Sequence, residues 1–482
     1  MKKQRMLIGW GTQDVTPKGK VSLLGQFRLR ITDEIHDPLT TSALAMESED
    51  GSEQAIIVSL PTIGVADYIL AGCREMIAEK IVGFNPDKLF VSATHPHTAP
   101  EYQANGLLGE SVPLPDDVMT DRAYGAILIE KISLAAIEAW NSRKVGALSW
   151  GYGHAVIGFN RRASFFDGSS VMYGNSNTPE FSHREGAENH GVDMLFTYDT
   201  EHKLTGMLIN VPCPAQCSEA KSFISSDYWH DVCKVIRERH GENIYILPQC
   251  AAAGDISPRA MINVPAVRRM MTLKGYSEEN DIASRQLIAQ RLAAAVDEIL
   301  PLASKDIQDE LAFGHEVIRT DLPRRLVSEQ ELVIAKQEVV SWSQKLEEIQ
   351  DMDHLSVEYS AAFRHRSFNL MVIGWHQDQQ QGKQLTMPVE LHCLRIGEIA
   401  MCTNPFEFYI DFAMRIMARS NALQTFVVQL AGSGTYLPTE RAKQGGSYSA
   451  FIASTPVGPD GGQVIVEQEV QAINQMFPES CG

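Results

Sequence analysis

Short apolar runs alternate with longer stretches of helical period along most of this chain. The run Gln54–Leu60, a stretch at 66–81 with apolar residues at helical spacing, and a second apolar run at 88–91 read as strand, helix and strand. That order predicts a βαβ unit and a locally parallel sheet. Further strands are expected at 6–10, 41–46, 145–152 and 244–249, with a hairpin formed by 194–198 and Leu204–Val211. Helices are expected at 122–142, at 281–300, and from an N-cap at Ser226 or Asp227 through Arg239. A loop rich in Pro and Gly is expected at 106–117. Towards the C-terminus, 389–395 and 399–402 predict a hairpin around Gly397. A helix to about 420 follows, then a strand at 425–430 and a helix at 464–476. The stretch 306–382 departs from this pattern, with a charged helix at 328–350 and a polar, irregular segment at 351–384. The expectation is a single α/β domain over 1–482, built of mixed sheets with βαβ units and flanking helices. Its 306–382 excursion reads as a lid or as an oligomer contact, as a homo-oligomer would use.

Composition narrows the classes. The chain has 482 residues, 44% hydrophobic and 21% charged, the balance of an ordinary globular protein. A formal net charge of −18 argues against a nucleic-acid surface and against docking on anionic membranes. No apolar run approaches the roughly 20 residues that a spanning helix needs. The first residues, Met1-Lys2-Lys3-Gln4-Arg5, leave no room for the apolar core of a signal peptide before the first strand. The eight cysteines are scattered without a CxxC pair, so reduced thiols in a cytoplasmic protein are expected.

Candidate chemistry gathers where strands end. Ser92-Ala93-Thr94-His95-Pro96-His97-Thr98-Ala99-Pro100 follows the 88–91 run, at the carboxyl end where open α/β sheets keep their ligands. In an extended segment His95 and His97 point the same way, so both imidazoles address one point. Neutral imidazole binds zinc or hydrogen-bonds an oxyanion, and two surface histidines in a polar loop are the bland alternative. His36 reads as a turn residue. Arg161-Arg162 is either a guanidinium pair for a carboxylate or carbonyl, or a solvated basic loop. Pro212 and Pro214 hold Cys213 rigidly just past a strand. Gly254-Asp255-Ile256-Ser257-Pro258 is a turn that presents a hydroxyl or backbone N–H groups, with small residues before it that admit close neighbours. Glu407 is expected in the first turn of a helix, where an anion is favoured.

In this order the motifs resemble those of the neutral ceramidases, zinc-dependent amidases that remove the fatty acyl chain from ceramide. The resemblance runs from Gly9 and Asp14-Val15-Thr16-Pro17 through the His95–Pro100 stretch, Asn160-Arg161, Ser226-Asp227 and Gly254–Pro258 to Pro405-Phe406-Glu407 and the Tyr448 loop. It implies a ceramidase-like catalytic fold with Zn2+ held by His95, Glu407 and Tyr448. It implies that His97 and Arg161 contact the scissile carbonyl, and that Ser257 acts as nucleophile or positioning group. The family's remaining ligand histidine falls on Cys213, whose thiolate is a competent zinc ligand at about 2.3 Å. Gln216, Cys217 and His230 are the other residues within reach of that vacancy, and loss of the metal is a further alternative. Secreted ceramidases also carry a signal peptide and a C-terminal β-sandwich, neither of which is seen here.

The expected activity is therefore zinc-dependent hydrolysis of an amide or related acyl bond in a soluble, polar substrate rather than in ceramide. The polar rim would come from Arg161-Arg162, Asn175–Asn177, Ser182–Glu185 and Glu440-Arg441. One alternative is a metal-dependent glycoside hydrolase or uronate lyase acting on a glycan, and another is a non-catalytic relative.

Overall fold

The computed structural model describes residues 1–103, 114–276, 281–383 and 385–478. The loop expected at 106–117 lies outside the described residues as far as position 113. Two sheets lie face to face, and helices cover both outer faces. The larger sheet runs Tyr245–Cys250, Leu204–Val211, Gly191–Tyr198, Lys144–His154, Gln4–Asp14, Thr40–Ser48, Gln54–Leu60, Leu89–Ala93. Its two end pairs are parallel and the pairs between them antiparallel. The expected βαβ unit supplies one of those ends, with Asp67–Lys80 crossing between its strands. The second sheet comprises Phe313–Pro323, Thr386–Ile396, Ile399–Thr403 and Gln424–Val428.

Side-chain alternation explains why both sheets are buried twice over. Ile399 and Met401 point into the space between the sheets, whereas Ala400 and Cys402 point outwards beneath Ile410–Arg419 and Pro459–Met476. On the larger sheet, Asp67–Lys80 and Asp121–Asn141 cover one half of the outer face. Tyr228–His240 and Asp281–Ala303 cover the other half. Asp227 caps its helix by accepting the N–H of Tyr228 at 2.8 Å, one of the two caps the sequence leaves open. The seven described cysteines are free thiols. No described helix is long and apolar enough to cross a membrane.

The 306–382 region differs from its expected outline. It opens with Glu310–Leu311, paired with Gln4–Asp14, and Phe313–Pro323, an edge strand of the second sheet, before two helices, Glu329–Glu348 and Val357–Gln380. The first helix is the expected one, started by a capping box between Ser328 and Glu331. The second replaces the irregular segment. Arg364, His365 and Arg366 interrupt its apolar period, but Ser356 caps it and Ala362, Phe368 and Val372 are buried on one side. Packing contacts outweigh a weak local pattern here.

One buried group should make stability depend on pH. Glu469, on Pro459–Met476, is fully buried beneath the second sheet, with the Cys402 thiol as its polar neighbour. Burial pushes its carboxyl up to about 8, from an ordinary 4.5. The folded protein thus holds a proton that the unfolded chain releases, so this contribution is full below pH 4.5 and lost as pH rises through 8. Relative to wild type, Glu469→Gln should gain roughly 3 kcal/mol between pH 4.5 and 7, read from denaturant midpoints at both. Parallel pH profiles for the two proteins would show that Glu469 is ionised in the fold.

Candidate active site

The Leu89–Ala93 strand delivers its two histidines through a kink. The N–H of His95 donates to Thr62 O at 3.0 Å, while Thr94 O accepts from Ala215 N at 3.1 Å. Held this way, His95 has φ 69, a left-handed conformation that costs a non-glycine residue about 1–3 kcal/mol. The two imidazoles do meet, Nε2 to Nε2 at 3.4 Å. They meet because of this kink, not through the strand alternation expected from the sequence. His95 Nδ1–H donates to Ile63 O at 2.5 Å, which leaves Nε2 with a lone pair facing Glu407 Oε2 at 3.4 Å.

His97 has its lone pair on the same side. Arg161 Nη1 donates to Gln216 Oε1 at 3.3 Å, so the amide nitrogen of Gln216 points at His97 Nε2, 2.8 Å away, and donates to it. Nδ1 faces the Glu219 carboxylate at 3.7 Å. Burial first, then His95 and the nearby arginines, holds the His97 imidazole well below its ordinary range, so it is neutral at neutral pH. The loop over the ring passes at Gly25, with φ 104; a Cβ there would lie 2.4 Å from His97 Cγ. Only glycine allows this closure.

Glu407 is not in a helix. It lies in the two-residue strand Glu407–Phe408, directly opposite Tyr436 of the parallel strand Tyr436–Leu437. Its N–H donates to Thr435 O at 2.9 Å, and the helix starts only at Ile410. The helix-dipole expectation is corrected, because pairing with the Tyr436 strand keeps this segment extended. As expected, the small residues before Asp255 let a neighbour close in: a Cβ on Gly254 would lie 2.3 Å from Glu407 O.

The other expected residues are only partly assembled. Arg161 is buried behind the carboxylate, 3.8 Å from Glu407 Oε2. It donates to Tyr436 Oη at 3.2 Å, Gly254 O at 2.9 Å and Tyr173 Oη at 3.3 Å. Ser257 Oγ accepts from Tyr173 Oη at 3.2 Å, so it reaches the histidines only through Tyr173 and Arg161. Arg162 turns the other way, into a buried pair with Glu185 at 2.8 Å.

Cys213 does not join the cluster. Val211, Cys213, Ala215 and Cys217 all face the apolar core beneath Tyr228–His240, and the Cys213 thiol contacts Ile157 O at 3.4 Å. Burial pushes that thiol well up, away from a thiolate. Gln216, one of the other three candidates, turns towards His97 instead. Tyr448 lies edge-to-face on Tyr436, ring centroids 5.5 Å apart, and it is Tyr436 that hydrogen-bonds Glu407. Of the expected zinc set, His95, Glu407 and Tyr448 line one cavity, whereas Cys213 lies apart from them. Among the described residues no three His, Cys, Asp or Glu side chains form a group that could hold a metal ion.

A cavity of about 210 Å³ adjoins the histidines. His95, His97, Glu407 and Tyr436 line one part of it; Phe27, Ile63, Phe368, Met371 and Trp375 line another. Arg161 and Ser257 are not among its walls. The expected polar rim is corrected as well. Arg162 is spent on Glu185, Arg441 pairs with Asp411 at 3.1 Å on the surface, and neither 175–177 nor 182–185 lines the cavity. The sequence reading missed Tyr436 and the wall supplied by Val357–Gln380. A signal for Tyr436 was present: it follows Gly432-Ser433-Gly434 directly after a buried strand, the same strand-end setting that drew attention to His95.

No family model and no curated protein matches this chain. Solved structures do. Neutral ceramidase from Pseudomonas aeruginosa is similar over 100% of this chain and 76% of its own, at 16% identity and a TM-score of 0.67. A ceramidase complexed with C2 is similar over 99% and 76%, at 14% identity and the same TM-score of 0.67. At this identity the likeness lies in the path of the backbone, and this chain has a neutral ceramidase-like fold.

Proposed function

We propose that this chain hydrolyses an amide or related acyl bond in a small soluble substrate rather than in ceramide. One observation carries the reading: His95 Nε2 lies 3.4 Å from His97 Nε2 and 3.4 Å from Glu407 Oε2, beside a cavity. A water molecule placed here gives one hydrogen to the Glu407 carboxylate and the other to His97 Nε2, in place of the Gln216 N–H, and turns its oxygen to a carbonyl. That oxygen adds to the carbonyl carbon while a proton passes to His97 Nε2. Glu219, 3.7 Å from Nδ1, stabilises the imidazolium that results. The C–N bond then breaks, the proton goes to the departing nitrogen, and the products are a carboxylic acid and an amine. Tyr436 Oη, which accepts from Arg161, hydrogen-bonds the Glu407 carboxylate and holds it in place. Arg161, Gln216 and Ser257 act as positioning residues.

No step in this reading runs through zinc, because Cys213 does not complete the ligand set expected for it. The likeness to ceramidase structures supports the hydrolase class. The apolar cavity walls give a uronate or other glycan little to bind. The test is a panel of N-acyl amides with equimolar acid and amine as the readout, run after chelation and again with added zinc. Turnover after chelation supports the reading as written. Turnover only with zinc would assign His95 and Glu407 to a metal, and silence in both conditions would overturn the hydrolase reading.

A further inference from the structure

The cavity also speaks to what kind of acyl group it takes, an inference that rests on the hydrolase reading above. Five aromatic side chains stand in its walls: Phe27, Phe368, Trp375, Tyr436 and Tyr448. Phe368 meets Phe27 edge-on at 5.6 Å, Phe27 meets Tyr448 at 5.6 Å, and Tyr448 meets Tyr436 at 5.5 Å, with interplanar angles of 83°, 74° and 77°. This row of edge-to-face contacts leads from the Val357–Gln380 helix to the phenol that touches Glu407. Phe368, Met371 and Trp375 stand three and four residues apart and so share one face of that helix, the face that lines the cavity. The charged groups on the wall offset each other: Arg364 lies 3.7 Å from Glu101 and spends Nη1 on Gln26 O. An uncharged acyl group is therefore the better match for this wall.

Size selects further. A cavity of about 150 Å³ lined by apolar side chains holds benzene. At about 210 Å³, this one has room for a ring and a short connecting carbon, or for a compact branched chain. A long alkyl chain, several times the volume of benzene, would extend beyond these walls. Rings add edge-to-face attraction that alkyl groups lack. We propose that the acyl group cleaved here is aromatic or short and branched, such as phenylacetyl, and that Val357–Gln380 is the wall that selects it.

The test compares acetyl, isobutyryl, phenylacetyl, octanoyl and palmitoyl 4-nitroanilides on the full chain, with binding of the free acids followed by tryptophan fluorescence. Phenylacetyl should exceed octanoyl in kcat/KM by about tenfold or more, and phenylacetate should bind more tightly than octanoate. Trp375→Ala should narrow the phenylacetyl-to-octanoyl ratio by about tenfold. A preference for octanoyl or palmitoyl in turnover or in binding would overturn the acyl assignment and leave the hydrolase reading standing. If nothing is hydrolysed but phenylacetate binds preferentially, the hydrolase reading falls and the pocket assignment holds.

Discussion

His97→Ala is expected to lower kcat for an accepted acyl amide by about 10²–10⁴-fold, with little change in KM or thermal midpoint. The reasoning starts from the hydrogen bonds. Gln216 donates to Nε2, so this nitrogen accepts in the resting site, and burial keeps the ring neutral at neutral pH. A neutral imidazole beside two further acceptors is equipped to take a proton, and an alanine cannot do so. The acyl-binding walls are supplied by other residues, which is why KM should hold. Activity should also fall on the acid side as the ring gains its proton, at a pH well below 6.5, and should not vary with this group between pH 6.5 and 8. Initial rates across pH for wild type and variant check both points. A variant that retains its rate would remove His97 from the chemistry.

Arg162→Met is expected to have the largest effect on stability, although Arg162 is adjacent to Arg161 in sequence. Its side chain is fully buried and pairs with Glu185, itself 4% exposed. Removing one partner of such a pair leaves an uncompensated buried charge and costs about 3–5 kcal/mol. Arg162 also donates to Tyr448 O at 3.1 Å and Gly446 O at 2.8 Å, pinning a loop in which Ser447 and Ser449 both have φ 72. That loop carries Tyr448 onto the cavity wall. The double variant Arg162→Met/Glu185→Leu should recover much of the stability, since both charges are then gone. It should not recover activity on the preferred acyl amide, because the loop stays unpinned. Denaturant unfolding and turnover of the same samples separate the two effects. Full recovery of both would reduce Arg162 to a partner of Glu185 alone.

How much of this was legible depends on the range of the interaction. The βαβ unit, the Gly397 hairpin and the capped helices follow from periodicity and turn chemistry within some twenty residues, and they form where expected. Val357–Gln380 was not legible, because its polar residues face the cavity rim, its partner helix and solvent in proportions that only the packed state defines. For Cys213 the means of correction were present. Apolar residues at 211, 213, 215 and 217 predict one face towards the core and Gln216 towards the other. The proline-bounded thiol drew attention away from that alternation.

By itself the sequence determined the α/β class, the position of His95 and His97 at a strand end, and the segments that carry Arg161, Ser257 and Glu407. These depend on local patterning, which the chain expresses before any distant contact exists. Only the tertiary structure decided which atoms meet. Tyr436 rather than Tyr448 stands against Glu407 because two short strands pair in parallel, and register between distant segments is a property of their contact. His95 adopts its left-handed conformation because Thr62 and Ala215 hold the backbone on both sides. The cavity exists because a helix some 270 residues further along the chain than the histidines closes over them. Side-chain direction at a loop is set by neighbours remote in sequence, and no local pattern encodes those neighbours.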